Sequence, residues 1–416
     1  MEAFCPPHVR QAPVAAYNET CRHTDLGAAG AFRQPDLPIR EGIMKRHCWV
    51  AVAAAGFLTP WVWTGGALAA DSAIADTGPP DQYLPPAIAA ENNLGRAGLL
   101  RSYFESDQFG SVQWRIGQER NTVSDAAASG RPKSDYKDGT TDTIVPTNFL
   151  FMLPDQESMI RLGLRGTFSN GANYPVELDG GTGRLDLQYL RFLNPQTMIA
   201  IGGLYEYTDL DIEGSGSVKR SAGGIRGDVL SEFSTHWGIA ARAEYSRGQT
   251  DLSIAAGPGV TMRHKQGDDH LYTQAELIGQ YRHDDIALVP EGWVFHPVLG
   301  IQFQRSFLEA TANNFGVVSS GVAGPREDYG TAWAHLRLEQ ETAPGHWSPN
   351  VLVGFEREYV NDLDSVVYEP NYAVFGVGAS IMFGKGQRFE ISYTRHEGLR
   401  DERWNQALVG TLTMNF

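Results

Sequence analysis

Charged side chains of opposite sign recur two residues apart from residue 160 onward. Arg184 and Asp186 form one such pair, and Arg242 with Glu244 repeats the spacing. Residues two apart in a β-strand lie on the same face of the sheet, so each pair shares one face. Such a face can pair charges across strands and surround water, a solute or a polypeptide segment. We expect the following side chains to line an enclosed polar space: Arg161, Arg165, Arg184, Asp186, Arg242, Glu244, Arg337, Glu339, Arg388 and Glu390.

Two His–Asp groups and one acidic group could carry catalytic or metal chemistry. Asp268-Asp269-His270 and His283-Asp284-Asp285 could each supply a general base for water. Adjacent residues on a strand point to opposite faces, which favours solvated strand ends over a working pair. Asp209, Asp211 and Glu213 offer oxygen ligands for a divalent cation, but an acidic loop is the favoured explanation because a loose loop does not fix the geometry of such a site.

Motifs of the common enzyme classes are absent from the sequence. It has no Gly-rich phosphate loop, no Gly-x-Ser-x-Gly and no His-Glu-x-x-His. We therefore expect no enzyme activity, no catalytic residue, no cofactor and no bound metal. An outer-membrane hydrolase is the weakest of the functions considered.

Composition narrows the class of protein further. Acidic residues number 49 and basic residues 34, a net charge of −15, which argues against nucleic acid as a partner. The three cysteines are Cys5, Cys21 and Cys48, so the remainder of the chain holds no zinc ribbon, disulfide framework or cysteine nucleophile. Beyond residue 70 no apolar run is long enough for a membrane-spanning helix.

The first part of the chain has the features of an export signal. Residues 44–69 contain a basic start at 45–46, an apolar stretch, and Ala67-Leu68-Ala69, which fits a signal-peptide cleavage site. Residues 1–43 show no periodic pattern, and we interpret them as an extension from a mis-assigned start codon. Residues 70–109 are then a leader with a possible short helix over 86–104, where Gly95 and Gly98 weaken the helical pattern.

Residues 110–416 alternate with a period of two, as β-strands do. At the end of the chain Leu408, Leu412 and Phe416 share one face, while Thr411 and Asn415 lie on the other. A helix would place apolar residues three and four apart instead. The same alternation is found at 160–168, 237–246 and 388–395.

Three features favour a membrane-spanning barrel over a soluble β-sandwich. The strands are about 10 to 14 residues long, near the length that crosses a membrane. Aromatic residues sit at the ends of the apolar faces, as at Trp237 and Tyr245. Short connections alternate with longer ones. The short turns are predicted at 154–157, 194–196, 234–236 and 384–387, and the longer loops at 169–182, 210–217, 248–267, 309–327, 361–370 and 396–405.

The predicted fold is therefore all-β, a closed antiparallel transmembrane barrel of 12–14 strands. Fourteen segments fit the pattern, or twelve without the pair at 111–118 and 144–152. An even number follows if both chain ends lie on the periplasmic side. The barrel must close because an open sheet edge is unstable in hydrocarbon. Arg357 breaks the outward apolar phase, and either the outer membrane interface or a bulge would explain it.

From about residue 184 the chain resembles the translocator β-domain of autotransporters. The resemblance rests on Gly223–Asp228, Pro297–Ile301, Pro349–Asp362 and Phe375–Ala379, and on the terminal Phe416. It covers a little over half of the chain. The family implies a twelve-stranded barrel with a helix in its pore and secretion of an N-terminal passenger. Only a short leader separates the signal peptide from the first strand here, so we expect a passenger-poor member.

These observations lead to a functional expectation and an alternative. The chain is expected to act as a translocator or surface-exposed protein of the Gram-negative outer membrane, exported by a cleavable signal peptide. A small porin-like channel for solutes is the alternative, and a polar lumen is also simply what small barrels have. Expected partners are outer-membrane lipid, lipopolysaccharide and the barrel assembly machinery, for which the resemblance implies an assembly signal in Leu412, Met414 and Phe416.

Overall fold

Thirteen of the fifteen strands in the described part of the chain close into one barrel. The computed structural model describes residues 84–105, 138–173, 176–212, 216–319, 325–341, 344–362, 369–383, 387–400 and 403–416. Residues 1–83 and 106–137, with the predicted signal peptide and first strand, lie outside that part. The elements are α1 Pro86–Arg96, α2 Leu99–Glu105, β1 Asp138–Met152, β2 Ser158–Asn173, β3 Val176–Asn194, β4 Thr197–Ile212, β5 Gly216–Glu232, β6 Trp237–Gly257, β7 Val260–Gly279, β8 Trp293–Leu308, β9 Thr311–Ala312, β10 Val318–Ser319, β11 Arg326–Gln340, β12 Trp347–Asn361, β13 Asn371–Phe383, β14 Gln387–Gly398 and β15 Arg403–Asn415.

The barrel closes between β1 and β15, and this seam is its one parallel pair among the described strands. All other neighbours are antiparallel, while β9 and β10 form a separate hairpin. The predicted even count is wrong for this part of the chain. β1 begins at Asp138 beside Asn173 and Arg403, and therefore runs in the direction of β15. An odd number of strands follows from that starting point.

The two ends of the barrel can be told apart by their connections. We call one end the turn rim, which contains the β1–β2, β3–β4 and β5–β6 turns and the terminal Phe416. We call the other the far rim, where the β2–β3 and β6–β7 connections lie. The turns near 154–157, 194–196 and 234–236 fall where they are predicted.

Several loops predicted at the far rim are strands instead. β6 runs to Gly257 and β7 begins at Val260, so most of 248–267 is a paired hairpin. Segments 169–182 and 210–217 likewise belong largely to β2–β5. Polar residues occupy both faces of these extensions, which removes the alternation of polarity but leaves the backbone ladder intact. A pattern based on polarity therefore misses them.

The outer face of the barrel is apolar and ends in two aromatic belts. Ile201 and Ile225 expose 66% and 65% of their surface, whereas Val409, on the inward phase, exposes only 3%. Outward aromatic residues near the far rim include Tyr205, Tyr245 and Trp404. The belt near the turn rim includes Phe151, Trp347, Phe383 and Phe416.

The last residue of the chain completes the seam. The amide of Phe416 donates to the carbonyl of Leu150 at 2.8 Å, and the amide of Met152 donates to the carbonyl of Phe416 at 3.1 Å. The Phe416 ring stacks on Phe151 with centroids 5.3 Å apart, and Phe149 lies at 6.4 Å. Phe416 thus joins the first and last strands through backbone and side chain together.

Shortening the chain by Phe416 should therefore impair both closure and assembly. Phe416→Ala keeps the backbone bonds and loses the stacking, worth about 0.5–1.5 kcal/mol. Deletion also removes the two backbone bonds that Phe416 makes at the end of the seam. If Phe416 is the assembly signal that the resemblance implies, unfolded chain should accumulate in the periplasm. Pulse-chase fractionation compares the two variants with Phe416→Tyr as control. Insertion of the deletion at the wild-type rate would reject an assembly role.

Candidate functional site

Two short helices occupy the lumen of the barrel. The helix predicted over 86–104 is present but divided, because Gly98 between α1 and α2 has a positive φ of 75°. Pro86 suits the first turn of α1, where its missing N–H has no helical partner. No helix among the described residues has both the length and the apolar character needed to cross a membrane.

Near the turn rim the helices dock on an apolar wall. Leu94 and Leu99 are fully buried, and Tyr103 exposes 2%. Inward residues of the eight strands β1–β8 form one cluster with them. The wall residues of this cluster include Leu150, Met159, Leu190, Met198, Ala200, Leu230, Ala240 and Ile278. Burial of this surface from water favours docking of the helices against the wall.

Polar contacts fix α1 to the turn rim at two points. The amide of Ala87 donates to the carbonyl of Gln156 at 2.9 Å, within the β1–β2 turn. Gln156 has a backbone φ of 58°, a conformation that residues other than glycine rarely adopt. The side-chain amide of Asn415, on the last strand, donates to both carboxylate oxygens of Glu91, at 3.1 and 3.0 Å. α1 therefore contacts the first turn and the last strand at once.

Tyr103 of α2 lies against the charged wall of β2–β6. Its hydroxyl donates to Gln188 at 2.8 Å, and its carbonyl accepts from Arg242 at 2.6 Å and from Arg226 at 3.2 Å. The guanidinium of Arg161 lies 5.1 Å from the centre of its ring. These contacts place α2 at mid-height in the lumen.

Behind Tyr103, buried arginines and carboxylates form a continuous network. Arg184 donates to Asp186 at 2.8 Å and to Glu244 at 2.8 Å, and its side chain is 1% exposed. Arg242 contacts Asp228 at 2.7 Å, and Arg226 contacts the same carboxylate at 2.8 Å. Each carboxylate thus has a guanidinium partner, which offsets the cost of burial.

The remaining predicted lumen residues lie in a second cluster on β11 and β14. Arg337 contacts Glu339 at 3.3 Å, and Arg388 contacts Glu390 at 3.1 Å. Arg101 of α2 bridges the two pairs, at 3.4 Å from Glu339 and in contact with Glu390. The ten predicted residues therefore face the lumen in two groups, both of which touch α2. Arg161 and Arg165 belong to the first group, with Arg161 donating to Gln188.

The Asp268–His270 group differs from its prediction. Asp268 and His270 are 2% and 6% exposed, so solvated strand ends are the wrong interpretation. They lie two residues apart on β7, share the lumen face and touch, while Arg220 contacts Asp268 at 2.9 Å. Asp269 between them points outward to the hydroxyl of Tyr245, at 2.7 Å.

The other residues considered for chemistry lie at the rims or on the outer face. Asp209 contacts Lys219 at 3.0 Å, and Glu213 lies outside the described residues. Among the residues that the structure describes, no group of three or more His, Cys, Asp or Glu could hold a metal ion. Nδ1 of His283 donates to the carbonyl of Val289 at 2.8 Å, near the turn rim. Arg357 points outward, opposite Ala332 and beside a bulge in β11.

Glycine at position 98 determines how closely the helices approach the second cluster. A Cβ there would lie 2.6 Å from the Nη2 atom of Arg337 and would strain the backbone. Gly98→Ala should weaken docking by about 1–2 kcal/mol, because a residue with a Cβ pays that cost in the left-handed backbone conformation.

Single-channel recording in planar bilayers measures that loosening as more frequent open events. Gly95→Ala is the control, because its Cβ would meet only Leu100, at 3.6 Å, and alanine favours the helix. Equal opening by both variants would contradict the docking described for Gly98.

Comparison with known proteins gives structural neighbours only. No protein-family model and no curated protein matches the chain. The β-domain of the Bordetella autotransporter BrkA is 17% identical, with a TM-score of 0.42, over 56% of this chain and 89% of that one. The translocator domain of NalP from Neisseria meningitidis is 12% identical, with a TM-score of 0.45, over 70% and 93%. The transport unit of AIDA-I from Escherichia coli is 12% identical, with a TM-score of 0.36, over 68% and 92%.

Proposed function

We propose that the chain is an outer-membrane β-barrel of translocator type that carries its own N-terminal segment through the lumen. The observation that carries the proposal is the path of the chain. α1 contacts Gln156 and Asn415 at the turn rim, α2 lies at mid-height, and β1 begins at Asp138 on the far rim. The chain is therefore at the turn rim in α1 and at the far rim where β1 begins.

The outer surface supports a membrane location. Between Trp404 and Phe416 the strand advances about 3.3 Å per residue, and a tilt of roughly 40° gives a belt spacing of about 30 Å. That height matches the apolar core of a bilayer. Charged outward residues such as Arg247 and Lys219 lie beyond the belt, toward the far rim.

The orientation follows from the strand lengths. β6 and β7 have 21 and 20 residues, about twice the span a membrane requires, and their excess lies at the far rim. Outer-membrane barrels have short periplasmic turns and longer external extensions, so we assign the turn rim to the periplasm. The predicted signal peptide would bring the chain there, and N-terminal sequencing of the membrane-bound protein should begin after Ala69 or Ala70.

Epitope accessibility on intact cells tests the path of the chain. A tag inserted directly before Asp138 should be labelled from outside. A tag directly before Leu84 should be labelled only after the outer membrane is permeabilised. Labelling of the Leu84 tag on intact cells would contradict the proposal and would instead indicate an N-terminal passenger on the cell surface.

A solute channel is the second candidate, and a cavity beside α2 favours it. The cavity lies between α2 and β11–β15, so the helices do not fill the whole lumen. Single-channel conductance of the mature barrel with and without residues 71–109 compares the two functions. Steady conductance by the intact chain supports a channel, whereas conductance only after removal supports a closed translocator.

A further inference from the structure

The two halves of the lumen wall differ in chemistry. β2–β7 present the larger cluster of arginines and carboxylates, which holds Tyr103 of α2. β12–β15 carry fewer charges and also present neutral residues inward, namely Asn350, Val374, Ser392, Thr394 and Val409. Between this second wall and α2 lies a cavity of about 180 Å³. A cavity of roughly 150 Å³ is enough to hold benzene in another protein, so this one has room for a ring-sized molecule.

Two glycines keep the cavity open. The ring of Trp333 lies over Gly300 on β8, and the ring of His335 lies over Gly354 on β12. A Cβ at either glycine would overlap the ring beside it. Larger residues there would push both rings into the lumen. The wall is thus built to hold these two rings flat against it.

Two arginines and two glutamates line the cavity, and they differ in their contacts. Arg101 and Arg337 are held by Glu339, at 3.4 and 3.3 Å. Glu356 instead contacts His396 at 3.1 Å, and Glu276 accepts hydrogen bonds from the neutral groups of Ser102 and Trp333. Within the described residues, Nε2 of His335 is buried without a hydrogen-bond partner. Aromatic rings beside carboxylates attract a cation, through ring faces and charge together.

We propose that this cavity binds a small organic cation with a single ring, its ammonium group toward Glu356 and its ring between Trp333 and the apolar residues of β13 and β15. The apolar side of the site is formed by Val374, Ala407 and Val409. The unpaired nitrogen of His335 gives the ligand a further polar contact. This site is additional to the translocator function and does not depend on the orientation of the barrel.

Isothermal titration of the full chain in detergent micelles tests the proposal with three probes of one shape. Benzylamine is a cation at neutral pH, benzyl alcohol is neutral and benzoate is an anion. We expect benzylamine to bind about tenfold more tightly than benzyl alcohol, because its ammonium group makes a charged hydrogen bond with Glu356, and benzoate not to bind. Glu356→Gln should abolish the preference for benzylamine. Glu397→Gln is the control, because Glu397 points outward and contacts Arg395.

Gly354→Ala provides a second variant that leaves every charge in place. Its Cβ displaces the His335 ring into the cavity, so binding of benzylamine and of benzyl alcohol should weaken together. Heat-modifiable migration on gels establishes that each variant is folded. Absence of benzylamine binding by the wild type, equal binding of benzoate, or an unchanged preference in folded Glu356→Gln would each overturn the proposal. If Glu356→Gln does not fold, wild-type binding by Gly354→Ala overturns it.

Discussion

Arg184→Leu should destabilise the barrel by about 3–5 kcal/mol, the cost of removing one partner from a buried ion pair. Arg184 donates to Asp186 and Glu244, and its side chain is 1% exposed. Without it, Asp186 stays buried with Arg226 at 3.6 Å, and Glu244 stays buried with Arg226 at 3.7 Å and Arg242 at 3.9 Å, none of them at hydrogen-bond distance. Urea titration in lipid vesicles, followed by heat-modifiable migration, measures the free energy of unfolding.

Arg191→Leu is the matched control for this substitution. Arg191 also contacts two carboxylates, Asp155 at 2.7 Å and Glu157 at 2.5 Å, but its side chain is 35% exposed at the turn rim. The hydroxyl of Ser158 donates to Asp155 and lowers the pKa of that carboxyl, which stays charged without Arg191. Exposed pairs contribute about 0–1 kcal/mol, so we expect a small loss. Equal losses at Arg184 and Arg191 would show that the lumen network does not stabilise the fold.

Leu412→Arg should cost about 2–3 kcal/mol of barrel stability, since an outward arginine at the bilayer midplane costs about 2–4 kcal/mol. Leu412 lies on the outer face between Trp404 and Phe416, which belong to the two aromatic belts. A guanidinium at that depth must reach an interface or draw water into the hydrocarbon. Unfolding in vesicles of the same lipid gives the difference from wild type.

The control for Leu412→Arg places the same charge on the same face at another height. Gln249 on β6 points outward beyond Tyr245 and the far belt. Gln249→Arg should therefore change stability by about 0–1 kcal/mol, as near an interface. A loss at Gln249 equal to that at Leu412 would mean that the belts do not mark the limits of the membrane.

The barrel could be predicted because its outward face repeats every second residue. The phase of Leu408 and Val409 and the lumen position of Arg184 follow directly from that period. The parallel seam could not be predicted this way. The polarity of a residue indicates which face of the sheet it occupies, but not the rim at which its strand begins. β1 is parallel to β15 because it begins with Asp138 at the far rim, beside the start of β15.

The wall on which the helices dock can be recognised in the sequence, but not from the alternation of apolar and polar residues alone. Met198 and Ala200 face inward while Ile199 and Ile201 face outward, so this segment is apolar on both faces. A polar lumen gives no reason for apolar inward residues, and their presence indicates that something covers them. The contact of Tyr103 with Gln188 was beyond sequence reasoning, because it joins positions 85 residues apart.

Disulfide trapping of α2 against the barrel wall tests the path of the chain through the lumen most directly. A Cβ at Gly238 would lie 2.7 Å from Cδ1 of Leu99, so cysteines at these two positions are within bonding reach once leucine is removed. With Cys5, Cys21 and Cys48 replaced by serine, Leu99→Cys combined with Gly238→Cys should form a bond in isolated outer membranes, seen as reductant-sensitive migration. Leu99→Cys combined with Ile239→Cys should form none, because Ile239 points outward. Absence of the first bond in folded protein, or equal formation of both, would contradict a helix held inside the barrel.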